Sequence, residues 1–203
     1  MADTTTPYDL PFLELADPPD IAGATEDLAV AVKDELVRID AAISPLTAHG
    51  FQFVRKTADE AVTSNATVQW DEDLTFTAAA STRYLVEVTL WVSVAGGNST
   101  TDFRAGWSMP TGANATFGGI GPDPAIASGS AVGSGNWGAQ VGASTATLTY
   151  GLYTAGTTMI TIKGMVTNGA NTGTVRFAWS QANSSVNAVT VLANSYMKIN
   201  KVS

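Results

Sequence analysis

The sequence predicts a mainly β protein: a C-terminal antiparallel β-sandwich, most simply a jelly roll, preceded by an extended arm and one short N-terminal coiled-coil helix. Three observations predict it. From Phe51 onward, short runs that alternate apolar and polar residues are separated by Gly, Asn, Ser and Thr clusters, the pattern of half-buried strands joined by turns. Between Thr25 and Leu46 the apolar period lengthens to three and four residues. Ahead of that segment, Pro7, Pro11, Pro18 and Pro19 exclude a regular helix.

In order, the chain divides into an arm (1–24), a helix (25–46), a hinge (47–50) and a β domain (51–203). The arm interleaves its prolines with Tyr8, Leu10, Phe12, Leu13 and Leu15. A purely solvated tail holds fewer large apolar side chains. These five are therefore candidate anchoring residues on an extended or polyproline-like backbone, laid in the groove of a neighbouring copy or a larger assembly. The alternative is an unanchored tail.

The helix follows from a heptad seam. Ala29, Val32, Leu36, Ile39, Ile43 and Leu46 are spaced 3, 4, 3, 4, 3. Thr25 is the expected N-cap, with Glu26 and Asp27 in the first turn where the helix dipole favours acids. Pro45 is expected to close the helix, giving a rod about 30 Å long. Such a helix is marginal alone. Its seam pairs either with its own β domain or with copies of itself, as a trimerising neck; the seam residues leave the copy number open.

His49 reads as an ordinary junction residue in the hinge. Expected strands are 51–56, 66–70, 74–77, 84–94, 102–108, 146–152, 158–166, 174–180 and 188–198. In the longest, Tyr84, Val86, Val88, Leu90, Val92 and Val94 alternate with Leu85, Glu87, Thr89, Trp91 and Ser93, one buried face against one mixed face. Residues 110–145 break the rhythm as one Gly- and Ser-rich excursion. A loop of that length is usually functional or interfacial. Trp137, with Asn136 beside it, is the candidate contact there, since an exposed aromatic stacks on a sugar or fills a partner's pocket. The alternative folds Trp137 back onto its own sandwich.

Composition narrows the function. The chain has 203 residues, 45% of them hydrophobic, and no cysteine. No apolar run is long enough to span a membrane, and no basic-then-apolar leader suggests secretion. The net charge of −8 sits wholly in residues 1–50, where ten acids face two bases; residues 51–203 balance at eight and eight. An acidic arm argues against nucleic acid and suits a basic protein surface. One histidine and no cysteine leave no recognisable nucleophile–base pairing. Gly118-Gly-Ile-Gly is not a dinucleotide fingerprint. Asp71-Glu-Asp reads as a polar turn, or as carboxylates for calcium. Glu87 is the clearest strand carboxylate for glycoside chemistry. No enzyme, cofactor or metal is expected.

The stretch Arg55-Lys-Thr-Ala-Asp-Glu-Ala-Val-Thr-Ser-Asn-Ala-Thr-Val-Gln-Trp-Asp-Glu-Asp-Leu-Thr-Phe resembles a module of virion appendage proteins from tailed phages of actinobacteria. That module carries a K-x-A-D-E-x-V-T strand, then D-x-D-L-x-F, then a long strand like 84–94. Val191-Leu-Ala-Asn-Ser-Tyr-Met-Lys-Ile is similar to its last strand, and Pro7-Tyr-Asp-Leu-Pro with Asp17-Pro-Pro-Asp is similar to how phage fibre and minor tail proteins begin. The resemblance implies a homotrimer on the virion exterior: a short helical neck, three TNF-like jelly rolls side by side, and arms fixed to other virion proteins. Its place is a minor tail or short fibre, meeting a host-surface glycan, or a head fibre or capsid decoration. The near absence of a shaft leaves room for decoration. A third reading is a carbohydrate-binding or glycan-degrading jelly roll.

Overall fold

The computed structural model describes residues 3–5, 10–12, 21–48, 50–96, 101–124, 137–153 and 156–202. The chain forms two compact units, Met1–Ala48 and His49–Ser203.

In the first unit, strands β1 (Asp3–Thr5) and β2 (Leu10–Phe12) pair antiparallel, Thr4 opposite Pro11. A two-stranded ribbon consists of edges, which is where a strand tolerates proline. Helix α1 spans Ile21–Ala48, 28 residues and roughly 42 Å. It departs from expectation at both ends. Ile21-Ala-Gly-Ala includes good helix formers, so the helix starts four residues before Thr25. Thr25 is not the cap, and Glu26 and Asp27 fall in the second turn; the first turn holds no acid. Pro45 does not end the helix, which continues to Ala48. A proline removes one N–H donor, and in a last turn little else depends on it. The expected hinge at 47–50 therefore shrinks to its end; His49 lies outside the described residues.

The second unit holds strands β3 (Phe51–Arg55), β4 (Glu60–Val62), β5 (Gln69–Ala78), β6 (Arg83–Val94), β7 (Phe103–Ser108), β8 (Asn114–Pro122), β9 (Trp137–Ala143), β10 (Leu148–Tyr150), β11 (Thr157–Thr167), β12 (Gly173–Gln181), β13 (Val189–Val191) and β14 (Tyr196–Lys201). They form a β-sandwich. One sheet runs β10-β7-β12-β5. The other runs β3-β14-β6-β11-β8-β9, with β13 also beside β6 and β4 outside β13. The recorded pairings in both are antiparallel.

Alternation builds the core between the sheets. Tyr84, Val86, Val88, Leu90, Val92 and Val94 of β6 are all buried, as the period-two pattern requires. From the facing sheet, Trp107 stacks on Phe117 at 4.1 Å and meets Phe177 edge-on at 5.3 Å. Phe103 stacks on Trp179 at 5.8 Å.

Three strand expectations change. The expected strands 66–70 and 74–77 give one strand, β5, which starts only at Gln69: Trp70 lies opposite Ala178 and Thr75 opposite Arg176, so Asp71, Glu72, Asp73 and Leu74 stand against Phe177 alone, a bulge. Residues 188–198 split into β13 and β14 at a corner where Asn194 takes φ 69°, a left-handed conformation that asparagine tolerates. The 110–145 excursion is not one loop. Its described parts are β8 and β9, a pair that extends the larger sheet. Glycine hides β8 from a pattern search: a Cβ on Gly119 would lie 1.9 Å from Tyr150 Oη, and one on Gly121 would lie 2.7 Å from Tyr150 Cδ1. The tyrosine ring occupies the space that inward β8 side chains would otherwise fill.

Candidate functional site

The residues of the K-x-A-D-E and D-x-D-L stretches meet in a buried latch. Lys56 Nζ donates to Asp71 Oδ2 at 2.9 Å and Glu60 Oε2 at 2.5 Å. Trp179 Nε1 donates to the same Asp71 oxygen at 3.2 Å. Asp71 Oδ1 accepts the backbone N–H groups of Asp73 and Leu74. Asp73 Oδ2 accepts Thr57 N–H at 2.9 Å, and Asp59 Oδ1 accepts Ala193 N–H at 2.7 Å. Ser195 Oγ accepts Trp91 N–H, and Ser195 O accepts Lys56 N–H. Burial alone would lower the Lys56 pKa, but the bonds to Glu60 and Asp71 outweigh it and leave the ammonium raised. This is tie-bar chemistry: the bulge in β5, the β3–β4 turn and the β13–β14 corner are fastened together. Asp71 and Asp73 spend oxygens on protein donors, and Glu72 alone of the tripeptide is exposed. Among the described residues no three acidic or histidine side chains gather as a metal site.

The outer face of the larger sheet is different. Phe51, Phe53, Leu85, Trp91, Ile120, Trp137, Val141, Met159 and Met165 are exposed, on strands whose alternate residues face the core. Trp91 lies opposite Met159 and Leu85 opposite Met165. Through the middle runs Phe53, Lys198, Glu87, Lys163, Gly118, Val141, one residue per strand. Glu87 is 2.9 Å from Lys163 and 3.8 Å from Lys198. Exposed apolar side chains flank that charged row on both sides, and clustered apolar surface rimmed by polar residues marks interaction sites.

Comparison of the sequence with known protein families and with curated proteins finds no match. Among solved structures, a bacterial lipoprotein of Bacteroides thetaiotaomicron aligns over 75% of this chain and 89% of its own, with 8% identity and a TM-score of 0.19. So slight a likeness carries no conclusion about fold or function.

The sequence-predicted residues scatter. Trp137 is not mid-loop: it opens β9 opposite Pro122, on the apolar face, 46% exposed. Asn136 lies outside the described residues, as do Tyr8, Leu13 and Leu15. Leu10 and Phe12 lie in β2, opposite Thr5 and Asp3. On α1, Val32, Leu36 and Ile39 of the seam are exposed, and so are Ala29 and the off-seam Leu28. Ile43 and Leu46 lie on the same helix. Glu87 faces lysines across both neighbouring strands, not a second carboxylate. Sequence reasoning missed the apolar face because its residues come from five strands. The signal was present in β6, whose mixed face includes Leu85 and Trp91. One further pair stands apart: burial, then the nearby Asp123, push the Asp102 carboxyl up to about 6.

Proposed function

We propose that the chain is a non-enzymatic, homotrimeric structural protein of a tailed-phage virion, a minor tail or short fibre protein. Its arm attaches to other virion proteins, α1 bundles three copies, and the β domain meets the host surface. The observation that carries the reading is the exposed apolar surface on both units, a stripe on α1 and a face on the larger sheet. That face spans six strands, roughly 24 Å, wide enough to seat a partner of standard interface size. Copies of the same chain are the partner always present, and closed symmetry covers such faces without leaving one open. The buried latch supports the family resemblance, because the quoted motif residues are those that fasten the fold.

The jelly-roll form belongs to this reading. Strands β5, β6 and β7 alternate between the sheets, as do β10, β11, β12 and β14, which is how a jelly roll winds.

Light scattering on the full chain gives the first test: a mass three times that of one chain is expected, and a monomer overturns the trimer. Gold-labelled antibody on virions then decides the place. Label on the tail supports the fibre role. Label over the head supports the capsid-decoration alternative, which the brevity of the single described helix favours.

A further inference from the structure

A cleft on the outer face of the smaller sheet has no part in the surfaces above. It is a half-open groove of about 390 Å³, lined by Trp70, Asp71, Glu72, Thr75 and Arg176. The bulge in β5 makes it. Because Asp71 turns inward to Lys56 and Trp179, the flanking Trp70 and Glu72 are left outside, and Trp70 is 59% exposed. Arg176, one strand over, rests its guanidinium 4.8 Å from the indole centroid. Among the described residues neither Arg176 nor Glu72 has a hydrogen-bond or ion-pair partner, although Arg176 is half-buried. The cleft thus presents an apolar ring, a fork that only donates and a carboxylate that only accepts. Thr75 Oγ1 is committed to Val175 O.

Those three groups select a ligand. An anion suits the guanidinium but is repelled by Glu72. A cation suits the indole and Glu72 but is repelled by Arg176. A purely apolar group leaves both charged side chains desolvated without partners. A neutral sugar ring satisfies all three: its C–H face lies on the indole, one hydroxyl accepts from Arg176 and another donates to Glu72. The volume lies in the range of small-molecule sites. We propose that this cleft is a saccharide-binding site for a neutral pyranose, held by Trp70, Arg176 and Glu72. It stands independently of the virion reading, and it lies on the sheet opposite to Trp137.

Saturation-transfer NMR on the full chain tests it. The probes are the methyl glycosides of glucose, galactose, mannose and N-acetylglucosamine, each at about 10 mM, a concentration that detects millimolar binding. Transfer to ring C–H protons of at least one glycoside is expected. Trp70→Ala should weaken it about tenfold or more and Glu72→Gln several-fold, while Trp137→Ala leaves it unchanged. Both altered side chains are exposed, so thermal unfolding should match the parent and a folding defect is recognised at once. No transfer from any glycoside overturns the site. So does transfer that survives Trp70→Ala, or glucuronate binding better than glucose, which makes this an anion site.

Discussion

At the residue scale, magnitude separates two kinds of ion pair. Lys56 and Asp71 are buried, and removing one partner strands the other's charge. Lys56→Met should cost about 3–5 kcal/mol. Lys163 and Glu87 share the solvent-facing sheet, where a pair contributes about 0–1 kcal/mol. Urea denaturation of Lys56→Met and Lys163→Met side by side checks the contrast; equal losses would refute the latch. Tyr150 supplies a second case. Its buried hydroxyl has no hydrogen-bond partner among the described residues, and burial pushes the phenol pKa up. Gly119→Ala forces a methyl against that hydroxyl and should cost about 3 kcal/mol. Tyr150→Phe removes an unsatisfied oxygen and should be neutral or slightly stabilising. Their double mutant should recover at least about 1 kcal/mol of the alanine's cost. Simple additivity in a denaturation cycle would show that the ring does not fill the β8 gap.

At the element scale, α1 carries its stripe through the expected seam, yet its ends moved outward because local propensity at Ile21-Ala-Gly-Ala and after Pro45 was enough to propagate the helix. Replacing Leu36 and Ile39 together by Asp should leave the β domain folded and lower the solution mass to one chain; an unchanged mass removes the helix from the assembly. The strands show what a sequence displays and what it conceals. Strand β6 was legible because each inward residue is large and apolar. Strands β8 and β9 were not: Gly119, Gly121, Gly138 and Gly142 stand on their inward register, leaving no apolar alternation to count. The β5 bulge was invisible for another reason. Asp71 is polar by type but buried by position, and only its long-range partners Lys56 and Trp179 make that stable. The candidate surfaces suffered most, since neighbours on a sheet face are distant in sequence.

At the scale of the whole molecule, the larger sheet is a wall with one face on the core and one uncovered. Ile120→Lys with Val141→Lys places two charges on that uncovered face, at residues 57% and 77% exposed. Each folded chain should tolerate them, while the assembled mass falls; sedimentation and circular dichroism together read both. Persistence of the oligomer would mean that α1 alone holds the copies. The way the wall closes also fixes when it can form. Strand β14 lies between β3 and β6, and Lys201 N–H reaches back to Gly50 O. A nascent chain therefore cannot complete this sheet while residues 196–201 remain in the ribosome. Until they emerge, β6 is an open edge and the apolar residues already made have no final place, a pairing so distant in sequence being slow to find. The sheet is sealed only when β14 has taken its place between β3 and β6.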